Sequence, residues 1–242
     1  MSDSIPMIEP FYHADTGSYA YLVYDAATRA AVVIDAVLDF DRRSGVIATI
    51  AADAMLARIA ELELTVRWIL ETHAHADHLS ACDYLKRRLD APLATGANIV
   101  TVQRSAARLF ALDASVPLDG SQYDRLLPDG EVLAVGGLSC RVLATPGHTP
   151  DSVCYLIGDA LFVGDTLFQP DVGSARCDFP GASARQSYAS VRRLFELPDA
   201  TRVMVGHDYP PESRDPMHET DIGLERRANL HLKAEKTLEQ FV

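Results

Sequence analysis

Residues 73–78 are His-Ala-His-Ala-Asp-His, so three histidines and one aspartate lie within six consecutive positions. Imidazole and carboxylate groups are common ligands of first-row metal ions, and four of them rarely lie this close together by chance. The segment follows the apolar run Val66–Leu70, which predicts a strand. The sequence therefore favours a metal site here over a polar surface loop.

Three later apolar runs end in the same way, each with a possible ligand directly after a glycine. The three pairs are Gly147-His148, Gly164-Asp165 and Gly206-His207. Loops at strand ends often carry functional groups, and a glycine lets the backbone turn tightly and approach a site closely. Each of these residues alone would pass for an ordinary loop residue. Together with residues 73–78 they predict one metal site assembled from four strand ends.

The composition indicates a globular protein that binds neither nucleic acid nor membranes. Of 242 residues, 48% are hydrophobic and 23% are charged, and the formal net charge is −12. Phosphate contacts need clustered lysines and arginines, so this acidity excludes a broad basic surface but not a small anionic substrate. No apolar run reaches the roughly 20 residues that cross a bilayer. Because the N-terminus has neither the basic nor the apolar region of a signal peptide, we expect a cytoplasmic protein.

The cysteines fit that expectation. Cys82, Cys140, Cys154 and Cys177 are widely spaced and form no Cys-x-x-Cys pair, which predicts reduced thiols rather than disulfides. Cys140 and Cys154 lie in strand-like runs and are expected to be small buried residues. Cys82 and Cys177 lie near the chemistry-bearing segments, and the sequence leaves their roles open.

The elements that would position the ligands come as blocks of strands with helices between and after them. Strands are predicted at Met7–Tyr12, Tyr19–Tyr24, Ala31–Ile34, Val66–Leu70, Val132–Val135, Cys140–Ala144, Val153–Ile157, Leu161–Val163 and Arg202–Val205. Helices are predicted at Ile50–Leu62, Asp77–Leu89, Asn98–Phe110, Ser183–Leu197 and Thr220–Phe241, with Asp77, Asn98 and Thr220 as N-caps. This order favours a single domain over residues 1–242, with sheet layers covered by helices.

The motifs resemble those of a known family. His-Ala-His-Ala-Asp-His, Pro-Gly-His-Thr-Pro, Gly-Asp-Thr-Leu and Gly-His-Asp-Tyr, in this order, resemble the metallo-β-lactamase fold superfamily over nearly the whole chain. The resemblance implies an α/β (α+β) fold, a four-layer αββα sandwich with the metal site at one edge of the two sheets. It does not fix the reaction, since the superfamily includes lactamases, glyoxalase II thioesterases, nucleases, flavoproteins and sulfur dioxygenases.

Three of these classes are disfavoured. A lactamase is disfavoured because we expect no secretory signal and because Asp165 stands where many lactamases have a cysteine ligand. An RNA-processing nuclease would need an additional domain and a less acidic chain. A flavoprotein would need a flavin domain, for which we expect no room in this length.

The first remaining hypothesis is a mononuclear iron persulfide dioxygenase of sulfide detoxification. Residues 176–179, Arg-Cys-Asp-Phe, resemble the Arg-x-Asp-Phe element of these enzymes, and residues 207–209, His-Asp-Tyr, resemble their last motif. The resemblance implies one Fe(II) per chain, with catalytic ligands His73, His148 and Asp165. Two histidines and one carboxylate leave three positions open for a persulfide and O2. The residues implied to orient ligands and waters are His75, Asp77, His78 and His207.

The implied substrate is glutathione persulfide or a related low-molecular-weight persulfide, converted to sulfite and thiol. Arg176 would pair with a glutathione carboxylate, and its alternative role is an ion pair with Asp178. Tyr209 would bond to the substrate or line its pocket, and the alternative is a packed aromatic ring. Residues 174–175, Ser-Ala, depart from the Cys-Gly that precedes this Arg in the better-known dioxygenases. The substrate is therefore less firmly predicted than the metal chemistry.

The second hypothesis is a glyoxalase II-type thioester hydrolase with two Zn, or mixed Zn, Fe and Mn. The same seven residues would bind both ions, with His73, His75 and His148 at one, Asp77, His78 and His207 at the other, and Asp165 bridging. The two ions would activate a bridging water as the nucleophile. The chain lacks the Cys-Gly-Arg-Phe-Phe-Glu segment typical of glyoxalase II, and its C-terminal region offers few cations, namely Arg226, Arg227, Lys233 and Lys236.

A protein that senses or binds sulfur compounds without catalysis is disfavoured, because all ligands of an open metal site are present. The sequence is compatible with a homodimer and does not determine the oligomeric state.

Overall fold

The computed structural model describes residues 5–242 as an alternation of short strands and six helices. The strands are β1 (Met7–His13), β2 (Ser18–Tyr24), β3 (Ala30–Ile34), β4 (Val37–Asp41), β5 (Val46–Ala48), β6 (Thr65–Leu70), β7 (Leu79–Ser80), β8 (Leu93–Gly96), β9 (Arg125–Leu127), β10 (Val132–Val135), β11 (Leu138–Ala144), β12 (Val153–Ile157), β13 (Ala160–Phe162), β14 (Arg202–Met204) and β15 (Glu219–Asp221). The helices are α1 (Ile50–Glu61), α2 (Cys82–Leu89), α3 (Ile99–Leu109), α4 (Ala184–Leu194), α5 (Ile222–Ala228) and α6 (Leu238–Phe241).

Two six-stranded sheets form the centre of the molecule. The first has the order β1-β2-β3-β6-β8-β9 and the second the order β10-β11-β12-β13-β14-β15. Strands β4, β5 and β7 form a separate three-stranded sheet. Within the second sheet β13 and β14 are parallel, whereas the other neighbouring pairs are antiparallel.

Strand β2 shows how the layers are built, because every one of its residues is buried. Successive side chains of a strand point to opposite faces. Tyr21 and Val23 join the core shared with the second sheet, whereas Leu22 packs with Met55 of α1 and Leu85 of α2. Helix α4 packs against the second sheet through its buried face. The predicted αββα sandwich is therefore confirmed.

The nine predicted strands are all present, with ends shifted by at most two residues. The six strands that were not predicted are β4, β5, β7, β8, β9 and β15, each of two to five residues. Runs this short carry too little hydrophobic alternation to be recognised from the sequence.

The first turn of the predicted helix Asp77–Leu89 is wrong. Helix α2 begins at Cys82, and Leu79–Ser80 form β7, which pairs with β4. The carboxylate of Asp77 bonds to His207 (2.8 Å) instead of capping a helix. Asn98 does precede α3, but its side chain makes no cap hydrogen bond.

The prediction of one continuous C-terminal helix at Thr220–Phe241 is also wrong. It is divided into β15, α5, an irregular segment and α6. Asp221 rather than Thr220 caps α5, because its side chain accepts a hydrogen bond from Leu224 N (2.7 Å). Asn229 ends α5 with extended backbone (ψ 124°), and its side chain donates to the carbonyl oxygen of Gly173 (2.9 Å). A tertiary contact thus replaces the predicted helical turn.

All four cysteines are free thiols, as predicted. Cys82, Cys140 and Cys154 are buried, and Cys177 is partly exposed. Among the described residues, no helix has both the length and the apolar character needed to cross a membrane.

Candidate metal centre

The strand ends bring the predicted ligands to one edge of the two sheets. Asp165 and His207 follow β13 and β14, and since these strands are parallel, both residues leave the second sheet at the same edge. In the first sheet β6 leads into residues 71–78. The two sheets meet here, where Val153 N donates to the carbonyl oxygen of Thr72 (2.8 Å).

Two glycines make this close approach possible. Gly164 has a left-handed backbone (φ +47°), and a Cβ atom there would lie 2.3 Å from Thr72 Oγ1. A Cβ atom on Gly206 would lie 2.8 Å from the backbone of Gly164. Any other residue would push the strand ends apart, so both positions need glycine for space, and Gly164 also needs it for its backbone conformation.

His73, His148 and Asp165 converge on one point. Asp165 Oδ2 lies 3.4 Å from His148 Nε2 and 3.7 Å from His73 Nε2. His73 is 1% exposed, yet its Nε2 has no hydrogen-bond partner within residues 5–242. A buried polar atom without a partner costs about 1–3 kcal/mol, so this nitrogen calls for a ligand that the chain does not supply. Two imidazoles and a carboxylate are a donor set that Fe(II) accepts with open positions, so the residues fit that metal.

The atoms of these side chains that face away from the common point are held by hydrogen bonds. The bonds join His73 Nδ1 to Thr72 Oγ1 (3.0 Å), His148 Nδ1 to the carbonyl oxygen of Arg176 (2.7 Å), and His207 Nδ1 to Asp165 Oδ1 (2.6 Å). Because a carbonyl oxygen only accepts, His148 carries a proton on Nδ1 and turns Nε2 toward the centre. Bonds of this kind fix the orientation of metal ligands.

A second group of possible ligands lies beside the first. His75, Asp77 and His78 each offer one donor atom, and these atoms lie within 4.8 Å of one another. His207 connects the two groups, since its Nε2 bonds to Asp77 Oδ2 and its Nδ1 bonds to Asp165. The donors required for a second metal are therefore present.

Asp35 is a part of the site that the motif analysis missed. Its buried carboxylate accepts hydrogen bonds from Thr72 N (2.7 Å) and Thr72 Oγ1 (2.7 Å), and it lies 3.2 Å from His75 Nε2. It therefore positions two members of the segment 72–78. The missed signal is that Asp35 follows an apolar strand, β3, as the other site residues follow theirs.

Burial and neighbouring charges set the protonation of the histidine cluster. Burial, together with the charge of His75, lowers the pKa of His73 to about 3 and that of His78 to about 4. Burial also opposes the charge of His75, but the adjacent Asp35 carboxylate raises its pKa to about 9. His73 is thus neutral at pH 7, with a lone pair free for a metal.

Asp165 and His207 stabilise each other as an ion pair. Burial would raise the pKa of Asp165, but the His207 imidazole holds it well below its usual range. Against the effect of burial, Asp165 raises the pKa of His207 to about 10. Asp165 is therefore kept as an anion, which is the form that binds a cation.

A cavity of about 440 Å³ opens in front of the converging atoms. Its lining includes the two predicted substrate residues, Arg176 and Tyr209. The Arg176 guanidinium bonds to Asp178 through Nε (2.5 Å) and Nη2 (3.0 Å) and lies 4.8 Å from the centre of the Phe179 ring. The alternative ion pair is thus the contact observed for Arg176, at the cavity wall.

Tyr209 is half exposed and stacks on His207, with ring centres 5.5 Å apart and an angle of 15° between the rings. Its position fits both roles considered for it, since a stacked ring can also line the cavity. Stacking on His207 places the tyrosine directly over the connection between the two ligand groups.

Known proteins are similar to this chain. A family model described as the Metallo-beta-lactamase superfamily matches residues 14–207, a range that contains every predicted ligand. A Beta-lactamase hydrolase-like protein of Xylella fastidiosa is 48% identical over 227 residues, covering 94% of this chain and 52% of that protein. Glyoxylase B2 of Dictyostelium discoideum is 41% identical over 237 residues, covering 97% of this chain and 81% of that protein. This chain thus spans about half the length of the Xylella relative.

The fold is also similar to that of solved structures. The crystal structure of ETHE1 from Myxococcus xanthus matches with a TM-score of 0.77 and 36% identity, covering 98% of this chain and 88% of that one.

Proposed function

The chain belongs to the metallo-β-lactamase superfamily, and we propose that within it the protein is a mononuclear iron persulfide dioxygenase. The reaction oxidises the terminal sulfur of a low-molecular-weight persulfide, such as glutathione persulfide. A persulfide R-S-SH, O2 and water give the thiol R-SH, sulfite and two protons. Both oxygen atoms of O2 go to the terminal sulfur, and water supplies the third oxygen when the S–S bond is hydrolysed.

The observation that carries this proposal is the arrangement of the three ligands. We call the atoms that face the common point the inner atoms and those that face away from it the outer atoms. The inner atoms of His73, His148 and Asp165 converge, while each outer atom already has a hydrogen-bond partner. Such a triad is typical of non-haem Fe(II) oxygenases. The Arg-x-Asp-Phe segment at residues 176–179 lies beside it and supports the same reaction.

Fe(II) bound by the triad would supply open positions for a persulfide and O2 and would pass electrons between them, the four electrons that reduce O2 coming from the persulfide. The chain itself holds the ligands in place and shapes the cavity. Phe168 and Phe179 contribute apolar surface to the lining of the cavity. The pair formed by His207 and Asp77 holds a proton on the imidazole, beside the carboxylate of Asp165. Tyr209 covers this pair from the cavity side.

A second candidate is a thioester hydrolase with two metals. The group formed by His75, Asp77 and His78 favours it, because its donor atoms lie as close together as those of the triad. The similarity to Glyoxylase B2 and the similarity to ETHE1 are compatible with both candidates. His75 supports this candidate too, because Asp35 lies 3.2 Å from its Nε2 while its Nδ1 is buried with no partner in the described part of the chain. The feature that favours the dioxygenase is the Arg-x-Asp-Phe segment at residues 176–179.

Metal content and oxygen uptake of the same preparation distinguish the candidates. We expect one iron per chain, and uptake of one O2 for each sulfite formed from glutathione persulfide. Two metals per chain, hydrolysis of S-lactoylglutathione and no oxygen uptake would overturn the proposal. His218→Gln serves as a control, because His218 packs on Tyr19 outside both ligand groups.

A further inference from the structure

Helix α3 has an apolar face that is left uncovered. Val102, Ala106 and Leu109 lie at helical spacing on this face, yet Ile99 is the only buried residue of the helix. Leu109 is 62% exposed, and Phe110, directly after the helix, is 69% exposed. Leu109 and Phe110 are consecutive and line the same groove as Val102 and Ala106, and contiguous exposed apolar patches often mark binding sites.

This face forms one wall of a groove of about 420 Å³. The other wall consists of residues 74–76, Pro150 and Phe179. The residues that line the groove include no lysine, arginine, aspartate or glutamate, and the one titratable residue among them, His75, is already paired with Asp35. The groove is therefore suited to an uncharged apolar chain, because a charged group there would lose its hydration without finding a partner.

The groove adjoins the cavity in front of the metal centre. Ala76 and Phe179 line both spaces. A substrate whose sulfur lies at the triad can therefore extend past Phe179 along the face of α3.

We propose that this groove binds the apolar part of the substrate, so that the preferred carrier is an alkyl or aryl persulfide. The inference rests on the proposed dioxygenase function and names its substrate class. Charge supports it, because glutathione brings two carboxylates and one ammonium group. The cavity lining offers a single guanidinium, that of Arg176, which already pairs with Asp178, and it also contains Asp77 and Asp165.

The groove should act on binding more than on the chemical step. It contacts a part of the substrate far from the reacting sulfur, and such contacts are the same in the ground state and the transition state. Each methylene group buried in it is expected to lower KM by about fourfold, with little change in kcat.

The test compares oxygen uptake by the iron-loaded enzyme with persulfides of propanethiol and hexanethiol and with glutathione persulfide. We expect KM to fall roughly tenfold to sixtyfold from the propyl to the hexyl compound, as three more methylenes are buried. Leu109→Gln should raise KM for the hexyl compound about tenfold and leave KM for the propyl compound unchanged. Val46→Gln, on an exposed residue of β5, is the matched control and should change neither.

Two results would overturn the inference while leaving the proposed function intact. One is a KM that does not depend on chain length. The other is an equal effect of Leu109→Gln on both alkyl persulfides.

Calorimetry on the metal-free protein separates the two proposals. Hexanethiol should bind with a negative heat-capacity change, and Leu109→Gln should weaken this binding, whereas glutathione should bind no more tightly than hexanethiol. If hexanethiol binds in this way but no persulfide is oxidised, the groove is supported and the dioxygenase function is wrong. If persulfides are oxidised but hexanethiol does not bind, the groove inference is wrong.

Discussion

Asp165 in the metal centre and Glu225 in helix α5 are both buried carboxyl groups, but their surroundings give them opposite protonation states. His207 and the neighbouring histidines hold the pKa of Asp165 well below its usual range, despite burial. Glu225 is fully buried, and burial raises its pKa to about 8. Its Oε2 accepts a hydrogen bond from Asn229 (2.7 Å), whereas its Oε1 has no partner in the described structure.

The comparison shows what distinguishes a functional carboxylate from a structural one in this molecule. Burial alone neutralises a carboxyl group, and imidazoles placed within hydrogen-bond distance restore its charge. Asp165 is therefore available as an anionic metal ligand. Glu225 stays protonated near neutral pH and contributes to the packing of the C-terminal segment.

The strongest test of this comparison removes the triad. Asp165→Ala and His73→Ala should abolish iron binding and oxygen uptake, because each removes a donor that converges on the metal. Iron per chain by emission spectroscopy and an oxygen electrode measure the two effects. Unaltered activity in either variant would show that the centre has been assigned to the wrong residues. A circular dichroism spectrum like that of the original chain excludes unfolding as the cause.

His78→Ala tests the second ligand group and should have a smaller effect. If His78 supports the triad and binds no metal itself, the variant keeps one iron per chain and loses about 10–100-fold in activity, as is usual for residues that support metal ligands. Loss of one of two bound metals, together with loss of thioester hydrolysis, would instead favour the hydrolase. His218→Gln provides the histidine control.

The two regions also differ in how far their structure could be predicted from sequence. The structure brings the predicted ligands together, and the sequence allows this to be expected because they follow recognisable apolar runs, with a glycine directly before His148, Asp165 and His207. Asp35 was missed because its role depends on β3 lying beside β6, a pairing between strands far apart in the chain. The cap assigned to Asp77 was wrong for the same kind of reason, as its carboxylate bonds to His207, 130 residues away.

The C-terminal segment was predicted poorly, because its helical periodicity is overridden by tertiary contacts. Asn229 leaves the helix to bond with Gly173 and Glu225, and β15 pairs with β14. The local spacing of apolar residues does not reveal such tertiary partners. Helix α3 shows the same limit, since the sequence predicts the helix but not the groove that lies against it.

A smaller effect is expected at the cavity wall. Arg176→Ala should raise KM for glutathione persulfide about two- to fivefold and change kcat less, because an exposed ion pair is worth about 0.2–1 kcal/mol. Steady-state oxygen uptake measures both constants. Asp178→Asn is the matched variant, since it frees the guanidinium and should not raise KM. A KM that stays the same in Arg176→Ala would rule out a role of Arg176 in anchoring the substrate.

Glu225→Gln should leave activity and iron content unchanged and alter only stability. The folded pKa of about 8 lies above the ordinary value of 4.5. Below pH 4.5 the carboxyl group is protonated in both the folded and the unfolded chain, so it does not affect the pH dependence of the free energy of unfolding. Between about pH 4.5 and 8 the unfolded chain releases the proton while the folded chain keeps it. The free energy of unfolding should therefore fall by up to about 1.4 kcal/mol per pH unit because of this group.

Glutamine cannot ionise, so the variant should lose this slope and become more stable than the original chain as the pH approaches 8. Urea unfolding at pH 5, 6.5 and 8 measures the difference, and Glu235→Gln, on an exposed residue of the same segment, is the control. If the slope were the same in Glu225→Gln and in the original chain, Glu225 would be ionised in the folded protein. The contrast with Asp165 would then fail, because burial in the C-terminal segment would not suffice to keep a carboxyl group neutral.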